Sequence, residues 1–187
     1  MMNITGLFKR MTLGFVLASV PMLGGCGSHA AESWQEEVKL LDGRVITITQ
    51  KRRYDNGKMP REFWLTFKLP EFGNQEITWH ENLQPLVLNV YKGKLYVVGI
   101  PLTEREIRQY ANPKPSYLGY RYEAGQWQRI PFNEIPQAIY DTNLLLESEP
   151  QKDMKFATFA MKSEEIANER IGDIEKRIDP KFMGLNY

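Results

Sequence analysis

The sequence predicts a mainly β protein built from antiparallel hairpins, with a short central helix and a C-terminal helix. Three turn pairs carry this prediction: Asp42-Gly43, Lys92-Gly93 and Ala124-Gly125 each lie between β-prone runs. Asp-Gly is the strongest short hairpin signal, because it suits a type I′ turn, which needs two positive φ values. The hairpins leave two arrangements open: a sandwich of two sheets, or an α+β layer in which the C-terminal helix covers one sheet face.

Strand predictions follow from the runs between these turns. Strands are expected at residues 34–41, 44–50, 63–69, 76–80, 86–91, 94–100, 116–122 and 126–130, with a loop at 54–60. The two strands that flank Lys92-Gly93 are apolar on both faces, which predicts that this hairpin lies centrally and is covered on both sides. In the third hairpin, a two-residue turn sets Tyr122 opposite Trp127.

Two helices are predicted. Thr103 and Glu106 have the spacing of a capping box and start a short helix that ends near Tyr110. Ser163 is expected to cap a C-terminal helix from about Glu164 to Ile178, because apolar residues recur there at helical spacing. The residues of this stripe are Ala167, Ile171, Ile174 and Ile178.

The first 25 residues have the layout of a secretory signal. Lys9 and Arg10 precede an uncharged, mostly apolar run at residues 11–23, which is too short for a permanent membrane-spanning helix. The sequence that ends this run, Leu23-Gly24-Gly25-Cys26, resembles the lipobox of bacterial lipoproteins. The resemblance implies cleavage before Cys26, a diacylglycerol on its thiol, and an acyl chain such as palmitate on the new amino group.

The lipid anchor defines the expected organisation and location of the chain. Cys26 is the only cysteine, so an internal disulfide is excluded. Gly27 stands where an Asp would favour the inner membrane under the enteric-type sorting rule, so the resemblance implies an outer-membrane lipoprotein that faces the periplasm. The expected parts are a signal peptide over residues 1–25, a lipidated N-terminus and spacer over 26–33, and one β-rich domain over 34–187.

Composition and motifs exclude several function classes. Removing the two basic residues of the signal leaves 22 Lys and Arg against 23 Asp and Glu, whereas nucleic-acid readers usually carry a basic surplus. The sequence has no Gly-x-Ser-x-Gly elbow, phosphate loop or dinucleotide fingerprint, and the folded part has too few His and Cys donors for a metal site. We therefore predict no catalytic residue, cofactor, metal or nucleic-acid partner.

Two functional hypotheses remain. The favoured one is a non-enzymatic envelope lipoprotein, anchored to the membrane, that binds an envelope protein or the cell wall. The alternative is an envelope hydrolase with a site around His80 and Glu81, and with Asp141 as a further candidate. The adjacent carboxylates Glu36 and Glu37 point to opposite faces of a strand, and both are expected to be solvated.

Aromatic residues of the third hairpin form the candidate binding surface. They are Tyr117, Tyr120, Tyr122 and Trp127. Exposed aromatic rings stack on sugars and grip peptides, but the same residues also suit the core beneath a sheet, with tyrosine hydroxyls at its rim. The basic stretch 51–53 likewise has two interpretations, as a contact with anionic lipid headgroups or as a solvated strand end.

Part of the chain resembles a segment that recurs in exported proteins of proteobacteria. The resemblance rests on residues 110–117, 120–122, 125–131 and 135–136, within a stretch of roughly residues 83–146. That family has no assigned activity. The resemblance therefore implies an exported protein and transfers no catalytic or binding residue.

Overall fold

A computed structural model describes residues 31–55, 59–144, 155–167 and 176–184. It confirms the mainly β prediction. The strands are β1 (Ala31–Lys39), β2 (Val45–Asp55), β3 (Met59–Phe67), β4 (Ile77–Glu81), β5 (Gln84–Tyr91), β6 (Lys94–Ile100), β7 (Leu118–Glu123), β8 (Gln126–Ile130) and β9 (Phe156–Ala157). The helices are α1 (Glu104–Gln109) and α2 (Phe159–Ala167), with single 3-10 turns at Pro70–Phe72, Phe132–Glu134 and Gln137–Ile139.

The strands form two sheets that face each other as a sandwich. One sheet has the order β4-β3-β2-β1-β9 and the other has the order β5-β6-β7-β8. All pairings are antiparallel except the short parallel contact between β1 and β9. Leu65 and Trp79 of the first sheet share one buried cluster with Leu88 and Val97 of the second. Of the two predicted arrangements, the sandwich is therefore the one that forms.

A second core covers the outer face of the four-stranded sheet. Val87 and Val98 from the central hairpin pack there against Ile139 and Ile178, which come from segments that follow β8. Burial on both faces explains why β5 and β6 are apolar without alternation, as the sequence predicted.

The second and third hairpins have the predicted turns and register. Lys92 and Gly93 have φ values of +49° and +72°, and Ala124 and Gly125 have values of +50° and +82°. Two successive positive φ values are those of a type I′ turn, whose twist matches that of the flanking strands. As a result Tyr122 pairs with Trp127, as predicted.

The first hairpin turns differently from the prediction. Only Gly43, with φ +89°, lies in the left-handed region. Leu40 N donates to Arg44 O at 2.8 Å, and Arg44 N donates to the Asp42 carboxylate at 3.0 Å. The side chain of Asp42 thus organises a longer loop between Leu40 and Arg44, and the predicted type I′ turn is wrong.

The first sheet takes in residues that the sequence placed outside strands. β1 begins at Ala31, so it includes the last part of the expected spacer, and β2 runs through the basic stretch to Asp55. Lys51 and Arg53 therefore point to the outer face, while Arg52 points inward, is buried, and donates to Glu32 at 2.9 Å. The basic stretch is thus the middle of a strand, with its charges divided between two faces.

Helix α1 starts where predicted, but its cap is built differently. The hydroxyl of Thr103 makes no hydrogen bond to the helix backbone and instead bonds to the carboxylate of Glu106. Glu106 is buried and also accepts a hydrogen bond of 2.6 Å from Arg61 of β3. The pair therefore fastens α1 to the first sheet.

The predicted start of the C-terminal helix is wrong, and its predicted end near Ile178 lies two residues beyond Lys176, the last described helical residue. α2 begins at Phe159, whose N–H donates to the Glu37 carboxylate at 2.9 Å. Ser163 lies inside the helix, and its hydroxyl donates a hydrogen bond to Phe159 O. Ile178 is buried outside any helix, with its N–H on Tyr140 O. Thr158 caps the helix through its Oγ1, which accepts from Met161 N at 3.2 Å, and the carboxylate from β1 binds a further N–H of the first turn. Ile171 and Ile174 lie outside the described residues.

Within the described ranges, no helix has the length and hydropathy needed to span a bilayer.

Candidate functional site

The four aromatic residues predicted as a binding surface do not share one exposed face. Tyr117 and Tyr120 are 2% and 4% exposed and belong to different cores, Tyr117 to the outer one and Tyr120 to the one between the sheets. Tyr122 and Trp127 are half-buried against the core between the sheets. Their role is to fill and close the sandwich, which was the competing interpretation of the sequence.

Trp127 links the two sheets at one side of the sandwich. Its ring centroid lies 5.1 Å from that of Tyr122, and its Nε1 donates to Thr78 O of β4 at 2.9 Å. One indole thus packs on its own sheet and hydrogen-bonds to the other.

The residues of the predicted hydrolase site do not converge. His80 lies on the outer face of β4, where its ring stacks on that of Trp64 with the ring centroids 4.3 Å apart. Its Nε2 lies 3.5 Å from Oε2 of Glu62. Glu81 follows it, points to the other face, and accepts a hydrogen bond of 2.8 Å from the Tyr110 hydroxyl. Asp141 pairs with Arg177 at the surface. Neighbours on a strand cannot act together as acid and base, so this alternative has no assembled site.

Two buried tyrosines, Tyr110 and Tyr120, interact with Glu81. Burial raises the pKa of Tyr110, and the hydrogen bond to Glu81 raises it further. Burial also raises the pKa of Tyr120, and the negative charge of Glu81 adds to that effect. Both phenols therefore remain protonated and act as hydrogen-bond donors within the core.

A pocket with a volume of about 440 Å³ lies at the end of β8. Residues 113–115 form one wall, and residues 129–132, where β8 ends, form the other. Three prolines line it, Pro113, Pro115 and Pro131, and the Lys114–Pro115 peptide bond is cis. Proline fixes φ, so these walls have little backbone freedom.

Aromatic rings form the apolar part of this pocket. Tyr117 and Phe132 both line it, with their ring centroids 6.1 Å apart and stacked. The Tyr117 hydroxyl is held by Asp179 N at 3.3 Å, and burial raises its pKa. The floor is thus fixed by the outer core of the fold.

Two cations, Lys114 and Arg129, give the pocket its charge. Arg129 is the one arginine of the described residues that has no carboxylate within 4 Å; the other eight all form ion pairs. Its Nη2 donates to Tyr110 O at 3.3 Å, and its guanidinium lies 5.7 Å from the Tyr110 ring centroid. These contacts fix the guanidinium and leave its charge without an anionic partner among the described residues.

The pocket lining is suited to binding an anion. Lys114 and Arg129 are both exposed, and no Asp or Glu is among the described residues that line the pocket. The described residues of the lining also include no Ser, Cys or His. The lining therefore offers positive charge and an apolar surface to a ligand.

Of the pocket residues, Tyr117 was a predicted site residue, whereas Lys114 and Arg129 were not. The two cations lie inside two of the segments that carry the resemblance to exported proteins, residues 110–117 and 125–131. That signal marks the segments, but nothing local indicates that they meet in space. Cys26, the predicted lipidation site, lies outside the described residues.

Metal-ligand geometry is absent from the described part of the chain, where no three His, Cys, Asp or Glu side chains come together. Comparisons with protein-family models, curated proteins and solved structures give no match to this chain.

Proposed function

We propose that the protein is a lipid-anchored envelope protein that binds an anionic group of a partner in the pocket of Lys114 and Arg129. The single observation that carries this proposal is that no carboxylate of the described residues lies within 4 Å of Arg129, when every other described arginine has one within that distance. A fixed guanidinium beside a lysine matches the geometry and charge of a carboxylate or phosphate.

The signal sequence supports the location. A lipidated Cys26 holds the protein at the membrane, and the absence of Asp after it favours the outer membrane, with the folded part in the periplasm. Ala31 begins β1 only five residues after Cys26. An extended chain of that length reaches roughly 17 Å, so the sandwich lies close to the membrane surface. The partner is then another envelope component.

The chemistry of the pocket supports binding without catalysis. Lys114 and Arg129 attract and orient an anion, and the stacked rings of Tyr117 and Phe132 give it an apolar side. The Tyr117 hydroxyl stays protonated because burial raises its pKa. The described lining thus recognises a ligand by its charge and by an apolar face.

Binding of an acidic peptide tests the pocket. The detergent-solubilised lipoprotein is titrated with a tetra-aspartate peptide, and the affinity is measured calorimetrically at low salt. Arg129→Gln is expected to weaken binding at least tenfold, because hydrogen bonds to a charged group contribute about 1.5–3 kcal/mol.

Arg108→Gln is the matched control for the same charge change, since Arg108 is exposed and paired with Glu104 on α1. It is expected to keep the affinity of the wild type. Equal losses in the two variants would mean general electrostatic attraction, and unchanged binding in Arg129→Gln would contradict the proposed site.

A further inference from the structure

The edge strands of the two sheets are not equally protected. The side chain of Asn143 covers the edge at β5, where it donates to Leu88 O at 2.7 Å and accepts from Leu88 N at 3.0 Å. On the β4 edge, Trp127 Nε1 donates a hydrogen bond to Thr78 O. The β9 edge is only two residues long. On the outer side of β8, by contrast, no backbone partner is present among the described residues. Such an edge is a template for another strand.

The free backbone groups of β8 can be assigned from its ladder. The two-residue turn makes Glu123 and Gln126 the first hydrogen-bonded pair, and the bonding alternates from there. The N–H and C=O groups of Trp127 and Arg129 therefore point away from β7. Gln126, Gln128 and Arg129 are exposed, so a partner strand has access to this edge.

This edge leads directly into the cationic pocket, because Arg129 belongs to both. From the fold, we propose that β8 accepts an extended acidic segment of a protein partner as a fifth strand, with a carboxylate of that segment in the pocket of Lys114 and Arg129. The inference rests on the proposed function and names the kind of partner. Main-chain hydrogen bonds then give affinity, and the pocket gives specificity, as in other cases of strand addition.

Charge along β8 sets the direction of the added segment. Arg129 stands at the pocket end, and the neutral Gln126 and Gln128 lie toward the turn end, where Glu123 of β7 is paired with Arg121. An acidic residue is therefore attracted to the pocket end. In the more stable antiparallel pairing, the pocket end receives the N-terminal end of the partner segment.

A second copy of this chain fits the edge less well. Residues 126–130 contain no carboxylate, so pairing of β8 with β8 of another copy satisfies the backbone groups and leaves the pocket unfilled. An acidic segment pairs with the backbone groups of β8 and also fills the pocket. This difference makes the acidic partner the occupant to test.

The experiment uses the full detergent-solubilised lipoprotein and blocked synthetic peptides. The probe has two aspartates followed by four alternating valines and threonines. One derivative is N-methylated at the alternate amides that would face β8, and its matched control is N-methylated at the amides that would face solvent. A third peptide carries the two aspartates at its C-terminal end.

We expect the probe and the solvent-side methylated control to bind equally, and the derivative methylated toward β8 to bind at least tenfold more weakly. The peptide with reversed charge placement is also expected to lose at least tenfold. If both methylated peptides bind like the probe and Arg129→Gln still weakens binding, strand addition is wrong and the anion pocket stands. If no peptide binds, both proposals fail. A dimer through β8 that the probe does not dissociate would also overturn the inference.

Discussion

At the residue scale, the largest departure from expectation is Glu36. It is fully buried on the inner face of β1, where Gln50 donates to it at 2.7 Å and Lys162 Nζ lies 3.5 Å away. Lys162 also donates to Asn143 O at 2.8 Å. Strand alternation correctly separated Glu36 from Glu37, but it does not say which face is covered. The lysine comes from a helix more than a hundred residues later, so the prediction of a solvated Glu36 was wrong.

Removing the lysine of this pair tests its role. Lys162→Met removes the cation that lies 3.5 Å from the buried carboxylate of Glu36, and we expect the free energy of unfolding to fall by about 3–5 kcal/mol. Adding Glu36→Gln is expected to restore part of that loss. Urea denaturation measures both variants, with the exposed Lys94→Met as control. Unchanged stability in Lys162→Met would contradict a buried ion pair.

The tyrosines around Glu81 predict the behaviour at alkaline pH. The pKa of Tyr120 is raised in the folded protein, mainly by burial, whereas an unfolded tyrosine ionises near its ordinary value of 10.0. Above pH 10 the unfolded state therefore binds fewer protons than the folded state, and the free energy of unfolding falls as the pH rises. Tyr120→Phe is expected to make this fall shallower between pH 10 and 11. Parallel curves for the two proteins would refute the assignment.

At the element scale, the hairpins were predictable because their signals are local. Ala124-Gly125 determines both a turn and the pairing of Tyr122 with Trp127. Lys92-Gly93 likewise determines the turn and the strand register of the central hairpin. The parallel contact of β9 with β1 was not predictable, because it joins residues far apart in sequence. The same is true of the hydrogen bond between Glu37 and the first residue of α2.

Protection of the β5 edge by Asn143 gives a prediction at this scale. Its side chain mimics a backbone strand on Leu88 and also donates to Lys39 O at 3.0 Å. Asn143→Ala is expected to lower the free energy of unfolding by about 1–3 kcal/mol, because partly buried backbone groups lose their partners. Asn133→Ala, at an exposed position, is expected to change it by less than about 0.5 kcal/mol. Similar effects of the two substitutions in urea denaturation would argue against edge protection.

At the scale of the whole molecule, the fold class follows from the sequence, but the candidate site does not. Turn chemistry and apolar patterning predict a mainly β fold and leave the sandwich and the α+β layer open, whereas the pocket requires residues 113–115 and the end of β8 to meet around Arg129. An aromatic hairpin looks the same in sequence whether its rings are exposed or buried. The structure buries Tyr117 and Tyr120 and leaves the cations exposed at the rim.

The account depends most on the anchor, because an envelope partner for the pocket follows only if the protein reaches the envelope. The direct measurement is fractionation of whole cells, with mass analysis of the mature N-terminus, for the wild type and Cys26→Ser. The account predicts an acylated Cys26 at the N-terminus of the wild-type protein in the outer-membrane fraction, and loss of both acylation and membrane association in Cys26→Ser. A wild-type protein that retains residues 1–25 or is found free of the membrane would contradict it.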